Sequence, residues 1–256
     1  MNSRYKIIFG CVIFNLFLEY WAHGMSYFLG TWYAAPTLSL LYLTYFSMLE
    51  DLIIRYRLRD YQVLNVGFVF GMFHETFNTG SVFGNRAFFG VDLGLVLLVN
   101  IGWWGFLQSV LAMYFANRLS TRDWAHSQMG KGGWILSVAF NGLVVVGAFL
   151  DGGHAKGETL SYVTALIIIS VAGILFWKTL KRKGELQFRK SNLADAIITA
   201  QMILSIVMGT FFGLGNFPVA YFSRNEFAVV ILLLWTLLSG STLLTYRTIT
   251  RKSICV

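Results

Sequence analysis

Eight long apolar stretches, near residues 7–22, 33–54, 61–79, 91–116, 133–151, 160–178, 193–215 and 226–246, dominate this chain. Most approach the ~20 residues of helix that cross a hydrocarbon core. Only 12% of the 256 residues are charged and 56% are hydrophobic, whereas a soluble domain carries about 25% charge. A water-soluble fold of this length has no interior large enough for so much apolar surface. In lipid, each backbone amide must be satisfied inside its own segment, which selects helices. The sequence therefore predicts an all-α, polytopic integral membrane bundle of about eight transmembrane helices. No connection is long enough to form a separate domain, so residues 1–256 read as one transmembrane domain.

The cations supply an independent test. With the N-terminus inside and the connections alternating, seventeen of the 20 Lys and Arg fall inside. They are Arg4 and Lys6; Arg55, Arg57 and Arg59; Arg118, Arg122 and Lys131; Lys178, Lys181, Arg182, Lys183, Arg189 and Lys190; and Arg247, Arg251 and Lys252. Only Arg86, Lys156 and Arg224 fall outside. One missed helix would scramble that alternation, so the positive-inside rule predicts both termini in the cytoplasm, at a plasma or inner membrane. The same rule accounts for the net charge of +8, which makes the bilayer the expected partner and nucleic acid not one. The inner run Lys178–Lys190 suits anionic lipid or a cytoplasmic partner. Arg4-Tyr5-Lys6 and the apolar run after them read as a first membrane helix rather than a leader, because Glu19, Trp21 and His23 occupy the region where cleavage would fall. Two cysteines, Cys11 and Cys255, make no disulfide framework.

Local signals agree with these boundaries. Pro36 sits near a helix start, where a missing N–H costs little. Ser191 and Asn192 are N-cap residues for the seventh segment, and Asp195 suits its first turn. Gly67-xxx-Gly71 and Gly209-xxx-Gly213 mark close helix contacts. Trp103 and Trp104 fall mid-segment, where they either pack or line a cavity.

Ionisable groups inside a membrane are costly, so each is a functional candidate. They are Glu19, Glu50, Asp51, His74, Glu75 and Asp92. The densest group is Glu50-Asp51-xxx-Arg55 on the second segment with Phe70-xxx-His74 on the third. Were the turn centred near Arg59–Gln62, an antiparallel hairpin would set Glu50 and His74 at equal depth, each roughly 18 Å from the turn. A carboxylate beside an imidazole in an apolar bundle is a usable acid–base pair. The alternative is structural: Asp51 pairs with Arg55 at i,i+4, and His74 bonds a neighbouring helix.

The pattern EDxxxR followed by FxxxH resembles the first two motifs of the CPBP intramembrane proteases, the CAAX-protease and bacteriocin-processing family. The resemblance covers residues 50–74, with an echo at Gly133–Asn141. It implies Glu50 as the base that activates water, Asp51 in place of a second glutamate, and Arg55, His74 and Asn141 as assisting residues. The family's later motif has a histidine four residues before the asparagine, and Ser137 stands there instead. The resemblance thus implies a membrane-embedded hydrolase of altered or lost activity.

A second constellation lies toward the outer side: His23, His74, Glu75, Asp92, Asp151 and His154, with Glu19. Histidines and carboxylates together can ligate zinc, iron or copper, although no HExxH spacing occurs and no cofactor is identified. No lysine occupies a segment centre, and neither a P-loop nor a GxSxG is present. Three functional readings remain open: a CPBP-like hydrolase, a transporter with a path through Glu19, His74, Glu75 and Asp92, and a non-catalytic subunit or anchor with membrane-protein partners.

Overall fold

A computed structural model of the chain describes residues 3–30, 33–83, 88–125, 129–151, 157–182, 184, 186–211 and 224–250; the side chains of 22, 26, 27, 149, 151 and 211–236 lie outside the description. Among the described residues the chain is all-helical, in eight rods. They are α1 (Ser3–Gly30), α2 (Ala34–Tyr56), α3 (Asp60–Phe77), α4 (Leu93–Leu119), α5 (Lys131–Asp151), α6 (Thr159–Thr179), α7 (Asn192–Phe211) and α8 (Arg224–Thr250). Each coincides with one of the apolar stretches. The single bridge pairing, Phe88 with Val91, belongs to a turn.

Five rods, α2, α4, α5, α6 and α7, are long and apolar enough to cross a membrane, and α1 joins them if its two halves count as one span. Gly24 interrupts α1 at φ 76°, a conformation that a side chain disfavours. Helix α3 falls short of the apolar requirement because it carries Asp60, Asn65, His74 and Glu75. Gln62, His74, Glu75 and Thr76 are buried against protein.

Helix α4 is unusual. Its first turn, Leu93–Leu95, and its last stretch, Ala112–Leu119, are α-helical, whereas Val96–Leu111 is π-helical. Such runs are ordinarily a single turn. The wider turn aligns residues five apart, and Ser109 Oγ donates to the Trp104 carbonyl at 2.6 Å. In the α-helical α2, Ser39 Oγ reaches back four residues, to Ala35, at 2.7 Å.

The chain divides into two compact units. The first comprises Met1–Leu43, Leu111–Arg122 and Phe188–Val256. Here α1 lies against α7 and the end of α4, and α7 against α8. Phe14 stacks on Phe115 at 5.5 Å, and Gln201 Nε2 donates to Ser241 Oγ at 2.7 Å. Gly209 admits the backbone of Tyr20, whose carbonyl oxygen would lie 2.5 Å from an added Cβ; Gly213 lies outside the described residues. Ser191 Oγ accepts from the Ala194 amide at 3.3 Å, the expected cap. Asp195, in that first turn, takes Arg118 at 2.6 Å and Tyr114 at 2.7 Å.

The second unit comprises Thr44–Val110 and Asp123–Gln187. Helix α3 packs against α5 and α6 and closely against α4. A Cβ on Gly67 would lie 2.7 Å from the Trp104 carbonyl oxygen, and one on Gly71 would lie 2.6 Å from Trp104 Cβ. The small-xxx-small pair is therefore what lets Trp104 sit against the α3 backbone.

Candidate functional site

Four helices of the second unit hold Asp51, Arg55, His74, Glu75 and Asn141 and the side chains that bond them. Thr44 and Asp51, seven residues apart, share one face of α2. Asn141 Nδ2 donates to Thr44 Oγ1 at 3.1 Å, and Trp134 Nε1 donates to Asp51 Oδ2 at 2.8 Å. Numbers rise along α2 as they fall along α5, so the pair is antiparallel and tied at two levels. Asp51 is fully buried. Arg55 bonds it through Nη2 at 3.0 Å and Nε at 3.3 Å, and the Met129 amide donates to its other oxygen. Desolvating a carboxylate costs several kcal/mol unless its lone pairs are occupied, and here both oxygens are.

His74 is also buried. Its Nε2 lies 2.9 Å from Asn141 Oδ1. The Asn141 amide nitrogen is already committed to Thr44 and to the Ser137 carbonyl at 2.8 Å, so Oδ1 accepts and Nε2 carries the proton. That assignment leaves the Nδ1 lone pair buried, with no hydrogen-bond partner among the described residues. Phe70 lies 4.4 Å from the imidazole and Trp104 stacks on it at 6.0 Å.

The hairpin α2–α3 does not set Glu50 level with His74. Its turn comes earlier than expected. Arg57 takes φ 52°, ending α2, and the Arg59 amide donates to the Gln62 side chain at 2.7 Å to begin α3. Tyr45 stacks on Phe70 at 4.2 Å, so these two residues share a level. His74 lies four residues beyond that level on the side away from the turn and Glu50 five residues toward the turn, so the two are about nine residues, roughly 13 Å, apart along the axis. Five residues from Tyr45, Glu50 also points about 140° away from the face that meets α3. It is fully buried there.

The outer constellation separates as well. Glu75 receives Trp104 Nε1 at 2.8 Å, Thr79 Oγ1 at 2.7 Å and the Ser81 hydroxyl. Asp92 caps its helix by accepting from the amides of Gly94 at 2.9 Å and Leu95 at 3.2 Å. In the first unit Glu19 accepts from the Tyr42 hydroxyl and lies 3.1 Å from His23 Nε2. The Asp151 side chain and His154 lie outside the described residues. Among the described residues, no three His, Cys, Asp or Glu side chains gather as a metal site.

Sequence reasoning missed Trp134, and it read Trp104 as packing or cavity-lining without its role as a donor. Trp134 and Trp104 are the indole donors that hold Asp51 and Glu75. The available signal was chemical: an indole N–H packed against protein needs an acceptor, and a buried carboxylate needs donors.

No family model matches the chain, nor does any curated protein or solved structure.

Proposed function

We propose that this chain is a non-catalytic multi-pass membrane protein, an anchor or lipid-contacting subunit, with about eight spans and both termini cytoplasmic. The observation that carries the reading is that both oxygens of Asp51 and both of Glu75 already accept hydrogen bonds from donors of their own unit. A hydrolytic carboxylate needs a lone pair open to a reacting water, and these two serve as fasteners between helices. Two further features support the reading. Helix α5 is long and apolar with only 11% of its apolar window buried, and α6 likewise exposes Ile167, Ile174 and Trp177; such faces meet lipid or a membrane partner. The inside bias of the cations supports the orientation.

The test is a comparison of protein N-termini in membranes of cells expressing the wild type or Glu50→Gln. Identical sets are expected. A cleavage product that depends on Glu50 would overturn the non-catalytic reading. One observation favours a second reading, the CPBP-like hydrolase: His74 and Asn141, 67 residues apart, are hydrogen-bonded to each other. That reading requires the product to vanish in both Glu50→Gln and His74→Ala.

A further inference from the structure

Two cavities in the second unit share part of their lining. The first, about 340 Å³, is lined by Tyr45, Leu49, Val66, Phe70 and Phe73 among others. Its polar atoms are few, and one of them, Asn65 Oδ1, is buried with no hydrogen-bond partner among the described residues. The Tyr45 hydroxyl bonds Ser109, and the Trp134 indole bonds Asp51. The second, about 480 Å³, is lined by Arg55, Tyr56, Met129, Lys131 and Ile135. Leu52 and Trp134 line both, so the two adjoin at these side chains. Along α2 the order runs from Arg55 and Tyr56 at the helix end, past Leu52, to Tyr45. The apolar part therefore reaches ~10 Å inward from Leu52.

The charge follows the same axis. Lys131 is exposed, and the Arg55 side chain retains 34% exposure. Among the described residues the carboxylate bonded to Arg55 is Asp51, fully buried and turned toward Trp134 and Met129. The mouth is thus net positive. It sits at the last turn of α2 and the first turn of α5, the ends of two apolar helices, where headgroups of a bilayer lie. A cationic mouth over an aromatic and aliphatic groove complements a molecule with an anionic head and a hydrocarbon chain.

We infer that these two adjoining cavities together hold an anionic lipid of the surrounding bilayer, its phosphate at Arg55 and Lys131 and one hydrocarbon chain passing Leu52 and Trp134 to lie between α2, α3 and α6. The inference rests on the membrane reading proposed above and names the ligand for it. Tyr56 and Trp134 frame the headgroup level, as amphipathic rings do at interfaces.

The experiment is a lipid titration of the purified full-length protein in neutral detergent, read by thermal unfolding. Phosphatidylglycerol, phosphatidylcholine and inorganic phosphate are compared. Phosphatidylglycerol should raise Tm saturably, and the other two should not. Lys131→Gln should weaken the apparent affinity about fivefold, the effect of one cation near a headgroup. Gly173 lines the groove, and an added Cβ there meets nothing within 4 Å. Gly173→Phe should therefore plug the groove and abolish the shift. Equal responses to both lipids, a shift reproduced by phosphate alone, or an unchanged response in Lys131→Gln would overturn the inference. Extraction of the wild type from membranes by alkaline carbonate would instead defeat the membrane reading. Retention without lipid selectivity would defeat only the lipid site.

Discussion

Asp51 and His74 illustrate opposite ways of keeping a polar group away from solvent. Asp51 has donors on both oxygens from Arg55, Met129 and Trp134. Asp51→Ala strands the indole and the amide, at about 1–3 kcal/mol for a buried donor left unmade. We expect a fall in Tm in detergent, with Trp134→Phe costing less and the two changes non-additive. His74 depends on one bond. Asn141→Leu should destabilise by about 1–3 kcal/mol because it leaves the second ring nitrogen unbonded too. His74→Phe combined with Asn141→Leu should recover part of that loss, since removing both partners removes the unmade bond. Additive losses in unfolding measurements would mean that the contact contributes nothing.

At the scale of elements, the close approach of α3 and α4 depends on two glycines. Gly71→Ala forces a methyl into the Trp104 side chain, an overpacking that costs about 1–3 kcal/mol. Gly142 on α5 has nothing within 4 Å of an added Cβ. Gly142→Ala should be neutral or stabilising by up to about 1 kcal/mol, since glycine weakens a helix. The pair of thermal melts separates packing from propensity. The π-helical run of α4 belongs to this scale too, because it carries both the Trp104 indole that bonds Glu75 and the Trp104 carbonyl that meets Gly67. Nothing in the residue pattern announces π over α geometry there. Both are helical and apolar, and the choice is made by what packs alongside.

For the whole molecule, the proposed orientation predicts which loops face which side. In a background with Cys11 and Cys255 replaced, a cysteine at Gly157 should react with a membrane-impermeant maleimide in intact cells, and one at Arg182 only after permeabilisation. The reverse pattern would invert the topology. The sequence by itself determined that the chain is helical and where its helices run, because apolar length and backbone satisfaction are local properties. It also paired Asp51 with Arg55, since i,i+4 geometry needs no knowledge of a second helix. Only the tertiary structure decided which polar residues meet. A hairpin turn centred at Arg57–Arg59 instead of Arg59–Gln62 shifts the register, which separates Glu50 from His74, and the packing of α5 delivers Asn141 to His74 and Trp134 to Asp51. Register and facing depend on turn geometry and on side-chain volumes from distant segments, and no single helix encodes either.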